Sequence, residues 1–154
     1  MKKVKWIPEK EYLKIFKRVP RATVDVIVFN GRGEVLLAKR DIPPHKGSWH
    51  IPGGMVAYGE RVAQAAVRKI KEETGLKIKL QRLVGFWDSP KRTPRVHDIT
   101  LVFVGKILGG KLHGSSQGME VKFFKIKDLP KMYFDHNKEI EFARKGKIYW
   151  WNNA

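Results

Sequence analysis

The spacing of apolar positions changes several times along the chain, and each change marks an element. Between Pro8 and Val19 the apolar residues Tyr12, Leu13, Ile15, Phe16 and Val19 recur at near-helical spacing. A short leading helix is predicted there, ended by Pro20. Residues 22–29 are rich in β-branched side chains and read as a strand. Asn30-Gly-Arg-Gly33 reads as a turn, and residues 34–40 as the return strand of a hairpin. Trp49, Ile51 and Met55 fall in short extended pieces around Gly53-Gly54. Residues 60–74 read as a helix and residues 76–86 and 99–108 as strands. Gly109-Gly110 is expected to turn a hairpin, and residues 120–126 to form another strand. A last helix is predicted over residues 134–144, with Asp135 or Asn137 as cap and Gly146 as its stop. This succession predicts an α+β sandwich, a mixed sheet with helices packed on it.

Composition narrows the chemistry. A chain of 154 residues suits one domain with its own core. The absence of cysteine excludes disulfides, thiolate zinc sites, iron–sulfur clusters and a cysteine nucleophile. No apolar run approaches the roughly 18–20 residues needed to span a membrane. The basic start lacks a long apolar stretch or a small-residue cleavage site, so a cytoplasmic protein is expected. Lys and Arg number 32 against 15 Asp and Glu, a formal charge of +17. Such a field attracts polyanions, RNA included; it also serves plain solubility.

The helix at 60–74 carries the most chemistry. On a wheel of roughly 100° per residue, Val62, Ala63, Ala66, Val67 and Ile70 share a core-facing arc. Arg68, Lys69, Glu72 and Glu73 share a second arc, with Ala65 small enough to let a ligand approach. Glu72 and Glu73 stand at the C-terminal end, where the helix dipole opposes acids. Either a divalent cation compensates them, or Arg68–Glu72 and Lys69–Glu73 form i,i+4 pairs on a solvated face.

From Gly54 the chain reads GMVAYGERVAQAAVRKIKEETGL. This resembles the signature of the Nudix hydrolases, G-x5-E-x7-R-E-U-x-E-E-x-G-U, where U is bulky and apolar. Gly54, Glu60, Arg68, Ile70, Glu72, Glu73, Gly75 and Leu76 match in register, and Lys69 stands where the family has Glu. The lead-in Gly47-Ser-Trp-His-Ile-Pro-Gly-Gly54 is also similar, and the resemblance covers residues 20–145. It implies a Nudix-type α/β/α sandwich over residues 1–154, with the leading helix within 1–19 and the box at 54–76. It further implies Mg²⁺- or Mn²⁺-dependent hydrolysis of a nucleoside diphosphate linked to another moiety.

Carried over by position, Glu72 and Glu73 become metal ligands, joined by the carbonyl of Gly53 and by Glu120. Glu60 becomes a supporting acid, Arg68 a clamp on a box carboxylate, and Gly75 the turn after the helix. Lys69 leaves the family's base missing, and His136 is the expected substitute. Arg40 is expected on the diphosphate, with Arg92, Arg95 and His97 reaching phosphate or ribose. Trp49, Phe86 and Trp87 read better as core than as a stacking platform, and Trp150-Trp151 either as a homodimer contact or as packing on the sheet. The sequence resembles both GDP-mannose mannosyl hydrolases and ADP-ribose pyrophosphatases within the family. The alternatives are a non-catalytic nucleotide- or RNA-binding module and an RNA-end hydrolase.

Overall fold

A computed structural model describes residues 7–43, 45–114 and 119–149. The elements in order are α1 (Glu9–Phe16), β1 (Arg21–Val28), β2 (Val35–Lys39), β3 (Trp49–His50), β4 (Gly53–Met55), α2 (Val62–Thr74), β5 (Leu76–Trp87), β6 (Asp98–Gly110), β7 (Val121–Phe124), a 3₁₀ turn (Ile126–Asp128) and α3 (His136–Arg144). No helix among these is long and apolar enough to cross a membrane.

The strands form two sheets. One has the order β4-β1-β6-β5, with β1 and β6 parallel and the other neighbours antiparallel. The other, β3-β2-β7, is antiparallel throughout. The mixed α+β architecture expected from the sequence is therefore present, but two local links differ. The turn at 30–33 forms, with Gly33 N–H donating to Asn30 O at 3.0 Å. Beyond it, however, the ladder between the two segments is limited to a Phe29–Val35 bridge, and β1 and β2 pair in separate sheets. Both strands are buried on two faces, and each pairs laterally within its own sheet, β1 with β4 and β6 and β2 with β3 and β7. Gly109-Gly110 is likewise no hairpin turn; it ends β6, opposite Lys77 and Leu76 of β5.

Two apolar clusters meet at β1 and β2. Val24, Val26, Val28 and Leu36 pack against Ala65, Ala66 and Ile70 of α2. Ile27, Val35 and Leu37 face the opposite way, with Val102, Trp87 and Ile140 of α3. Alternation along β1 puts Asp25 on the Ile27 side, toward α3.

The predicted helical stripe also shifts. Ala65 is fully buried, whereas Ala63 and Val67 point outward. α2 packs against β1, β4 and β5, so it is gripped on more than one side, and Arg68 and Glu73 are buried with the apolar stripe. Ala65 is consequently core and offers no face to a ligand. Gly75 closes α2 at φ +75°, a left-handed cap that lets the chain turn directly into β5.

Candidate active site

α2 presents its charged residues to the loop that follows β4. Arg68 forks onto Glu60, Nε donating to Oε1 at 2.7 Å and Nη2 to Oε2 at 2.8 Å. Its Nη1 donates to both oxygens of Glu72, at 3.1 and 3.3 Å, and Nη2 reaches the Met55 carbonyl at 3.2 Å. Arg68 thus staples two acids eight and four residues away to the backbone of the lead-in. The hydrogen bonds from Arg68 hold the Glu60 carboxyl below its ordinary range.

Glu73 is buried and fixed at both oxygens. Oε2 accepts the Gly53 N–H at 3.2 Å, and Oε1 lies 3.0 Å from the Lys69 ammonium. Lys69 also stands 3.6 Å from Glu72, whose side chain is 45% exposed. Both i,i+4 pairs form. The Glu60 fork and the Gly53 contact exceed what a solvated charged face requires. Glu72 and Glu73 supply hard oxygen donors, one half exposed and one rigid, which suits a divalent cation shared with phosphate oxygens. Lys69 competes for the same oxygens.

A second charged cluster lies on the α3 side of β1. Arg92 is its hub, with a side chain only 5% exposed. Nε donates to Asp135 at 2.7 Å, Nη1 to Thr100 Oγ1 at 2.8 Å, and Nη2 to Glu139. Nη2 also lies 3.8 Å from Asp25. Burial pushes the Asp25 carboxyl up to about 7, against the pull of Arg92. Burial likewise drives Glu139 well above the carboxylate range. Ligand atoms of Asp25, His136 and Glu139 lie within 4.8 Å of one another. The Arg92 guanidinium pairs with Glu139 and lies 3.8 Å from Asp25, so it competes with a metal ion for this group.

His136 is buried rather than opening toward the box. Its Nδ1 accepts the Ile51 N–H at 3.2 Å, and burial holds its pKa well below the ordinary value. The ring is therefore neutral, with its proton on Nε2. The His50 ring lies edge-on to it, with centroids 6.4 Å apart.

The remaining expected residues scatter. Arg92 turns inward, because Asp25, Asp135 and Glu139 offer it a buried anionic pocket. Arg95 pairs with Glu9 of α1 at 2.6 Å, and His97 bonds the Asp88 carbonyl through Nε2 at 2.8 Å. Arg40 donates to the Pro43 carbonyl at 3.2 Å and lies over the Tyr133 ring. A cavity of about 110 Å³ gathers Arg40 and Arg95 with Tyr12, Arg21, Tyr133 and Phe134. Glu120 pairs with Lys39 at 3.3 Å, on the second sheet. Trp87 stacks on Tyr149 in the core, and Trp49 packs edge-on against Phe124. Trp150 and Trp151 lie outside the described residues.

Sequence reading missed Asp25 and Glu139 as buried acids gathered around Arg92. The signals were an acid inside an otherwise apolar strand, and Asp135, His136 and Glu139 spaced along one face of α3 with Ile140 and Ala143.

Comparisons with known proteins converge on one family. A model of the NUDIX domain matches residues 19–144. The ADP-ribose pyrophosphatase of Methanocaldococcus jannaschii is 44% identical over 122 residues, covering 79% of this chain and 72% of its own. Among solved structures, the NUDIX domain of Shewanella oneidensis NrtR, complexed with ADP ribose, superposes with a TM-score of 0.73 at 25% identity. It covers 91% of this chain and 99% of its own. An ADP-ribose pyrophosphatase from Streptococcus suis gives a TM-score of 0.68 at 25% identity, over 86% and 96%.

Proposed function

The chain belongs to the Nudix hydrolase family, and from that premise we propose that it hydrolyses the diphosphate of ADP-ribose or a closely related nucleoside diphosphate sugar. The observation that carries this reading is the Arg68 clamp. It holds Glu60 and Glu72 beside a Glu73 that is locked onto the Gly53 amide. The similarity to the M. jannaschii ADP-ribose pyrophosphatase supports the choice of substrate. Water adds to one phosphorus and the bridging P–O bond breaks, releasing AMP and ribose 5-phosphate from ADP-ribose.

Glu72 and Glu73 are the proposed holders of a Mg²⁺ or Mn²⁺ ion. When bound, it neutralises charge on the diphosphate and acidifies water. Arg68 keeps Glu72 oriented, and the Gly53 amide keeps Glu73 from rotating. Arg40 and Arg95, in the aromatic-lined cavity, are the proposed contacts for the phosphate and sugar end of the substrate. His136 and Arg92 act by position: one fixes the Ile51 amide just before Gly53, and the other holds α3 against β1.

The test is product analysis with Mg²⁺ or Mn²⁺ on ADP-ribose and GDP-mannose. AMP and ribose 5-phosphate are expected from ADP-ribose, and the activity is expected to be lost in Glu73→Gln. Free mannose from GDP-mannose, with ADP-ribose untouched, would overturn the assignment in favour of C–O cleavage. No turnover of either, with tight oligonucleotide binding, would favour a binding module.

A further inference from the structure

Lys69 is the one fixed box position that departs from the family pattern, and its side chain is neither extended into water nor idle. It folds back along α2 so that Nζ sits 3.0 Å from Glu73 and 3.6 Å from Glu72. The side chain is only 17% exposed. Its stem lies against Gly54. A Cβ there would meet Lys69 Cε at 2.5 Å and Nζ at 3.2 Å, and Gly54 holds φ +155°. The seat for the lysine is thus shaped by the lead-in glycine as well as by the two acids. One cation spans both carboxylates at the end of the helix where the dipole is negative.

We propose that Lys69 is a tethered counter-ion of the Glu72–Glu73 pair, supplying covalently a positive charge that a divalent ion would otherwise bring. A divalent ion must then displace or repel the ammonium in order to bind. This rests on the proposed assignment of Glu72 and Glu73 as the ion's holders. A unit positive charge about 4 Å from a doubly charged one, screened as in water, weakens its binding by about 30-fold. The chain therefore has a weak site for free divalent ions, through Lys69 and not through any defect in the carboxylates. The four-carbon stem lets the ammonium move without unfolding the helix.

The test measures ion binding directly, with no substrate present. Loss of the free Mn²⁺ signal in electron paramagnetic resonance is titrated for the folded parent, Lys69→Met and Lys69→Arg. Lys69→Met keeps the stem on Gly54 and removes the charge; Lys69→Arg keeps the charge. Lys69→Met is expected to bind Mn²⁺ about 10- to 30-fold more tightly than the parent, and Lys69→Arg to stay within about threefold of it. Lys69→Gln, a second neutral variant, should match Lys69→Met, and it decides the matter should Lys69→Met not fold. Equal affinity of the parent and the neutral variants overturns the proposal. So does a Lys69→Arg protein that binds as tightly as the neutral variants. The hydrolase reading is tested separately. A parent that turns over no diphosphate, beside a neutral variant with raised Mn²⁺ affinity, refutes the hydrolase and leaves the counter-ion standing. Turnover with unchanged Mn²⁺ affinity does the reverse.

Discussion

Replacing Arg92 by Met separates the chain's internal electrostatics from its surface charge. The guanidinium is in contact with Asp135, Thr100 and Glu139, and lies 3.8 Å from Asp25. Removing it strands three carboxyls in or beside the core, and breaking a buried pair in this way costs about 3–5 kcal/mol. The chain can reduce that cost only by protonating. Asp25, raised to about 7, and Glu139, raised well above its ordinary value, already lean that way. At pH 5 Asp25 is largely neutral in the folded parent, so the loss is expected to shrink to about 1–2 kcal/mol. Near pH 8 the same groups are held protonated at about 1.4 kcal/mol per pH unit each, or stay charged and unpaired, and the full loss returns. Urea unfolding of parent and variant at the two pH values measures this. Glu139→Gln, added to Arg92→Met, should recover part of the loss at pH 8, because the two residues are directly coupled. A penalty that is the same at both pH values, or below about 1 kcal/mol at pH 8, would show that Arg92 does not carry the buried charges.

Three further outcomes follow from the same geometry. Asp25 has a folded pKa raised from 3.8 to about 7, so the stability it lends is present at low pH and lost as pH rises through 7; Asp25→Asn should gain on the parent between pH 5 and pH 8 in denaturant titrations, and an opposite trend refutes the shift. Arg68→Lys keeps the charge but loses the fork on Glu60, and should lower kcat for ADP-ribose about tenfold or more while the far-ultraviolet spectrum stays native; an unchanged kcat removes the clamp from the mechanism. Glu73→Gln keeps the Gly53 contact through its amide oxygen yet loses the charge, so it should fold normally and show no measurable turnover; wild-type turnover would sink the site.

What the sequence made legible was local, and what it hid was pairing at a distance. Arg68, Lys69, Glu72 and Glu73 were placed correctly on one face because helix geometry fixes i,i+4 neighbours, and both expected pairs form. Ala65 was misplaced because a wheel assumes one buried side, whereas α2 is held by β4 as well as by β1 and β5. The β1–β2 hairpin failed for a related reason. The run Val-Asp-Val-Ile-Val marks a strand covered on both faces, but its lateral partners, β4 and β6, are set by pairing at a distance that a nearby glycine turn does not reveal. Arg92 shows the same limit in charge. Its position in a basic loop pointed outward, but its partners Asp25, Asp135 and Glu139 come from β1 and the start of α3, which only the folded chain assembles.

The consequence reaches the reading of +17. Among the described residues, Arg68 and Lys69 on the box and Arg92 in the cluster on the α3 side of β1 are each spent on a carboxylate inside the protein. The net charge therefore overstates what this face offers a polyanion. Of the arginines that line the cavity, Arg21 pairs with Asp98 and Arg95 with Glu9, both at 2.6 Å, and Arg40 donates to the Pro43 carbonyl. A positively charged chain can thus carry a site whose own cations are internal counter-ions. Under the proposed function, the partner is then chosen by the arrangement of the acids these cations hold rather than by net charge.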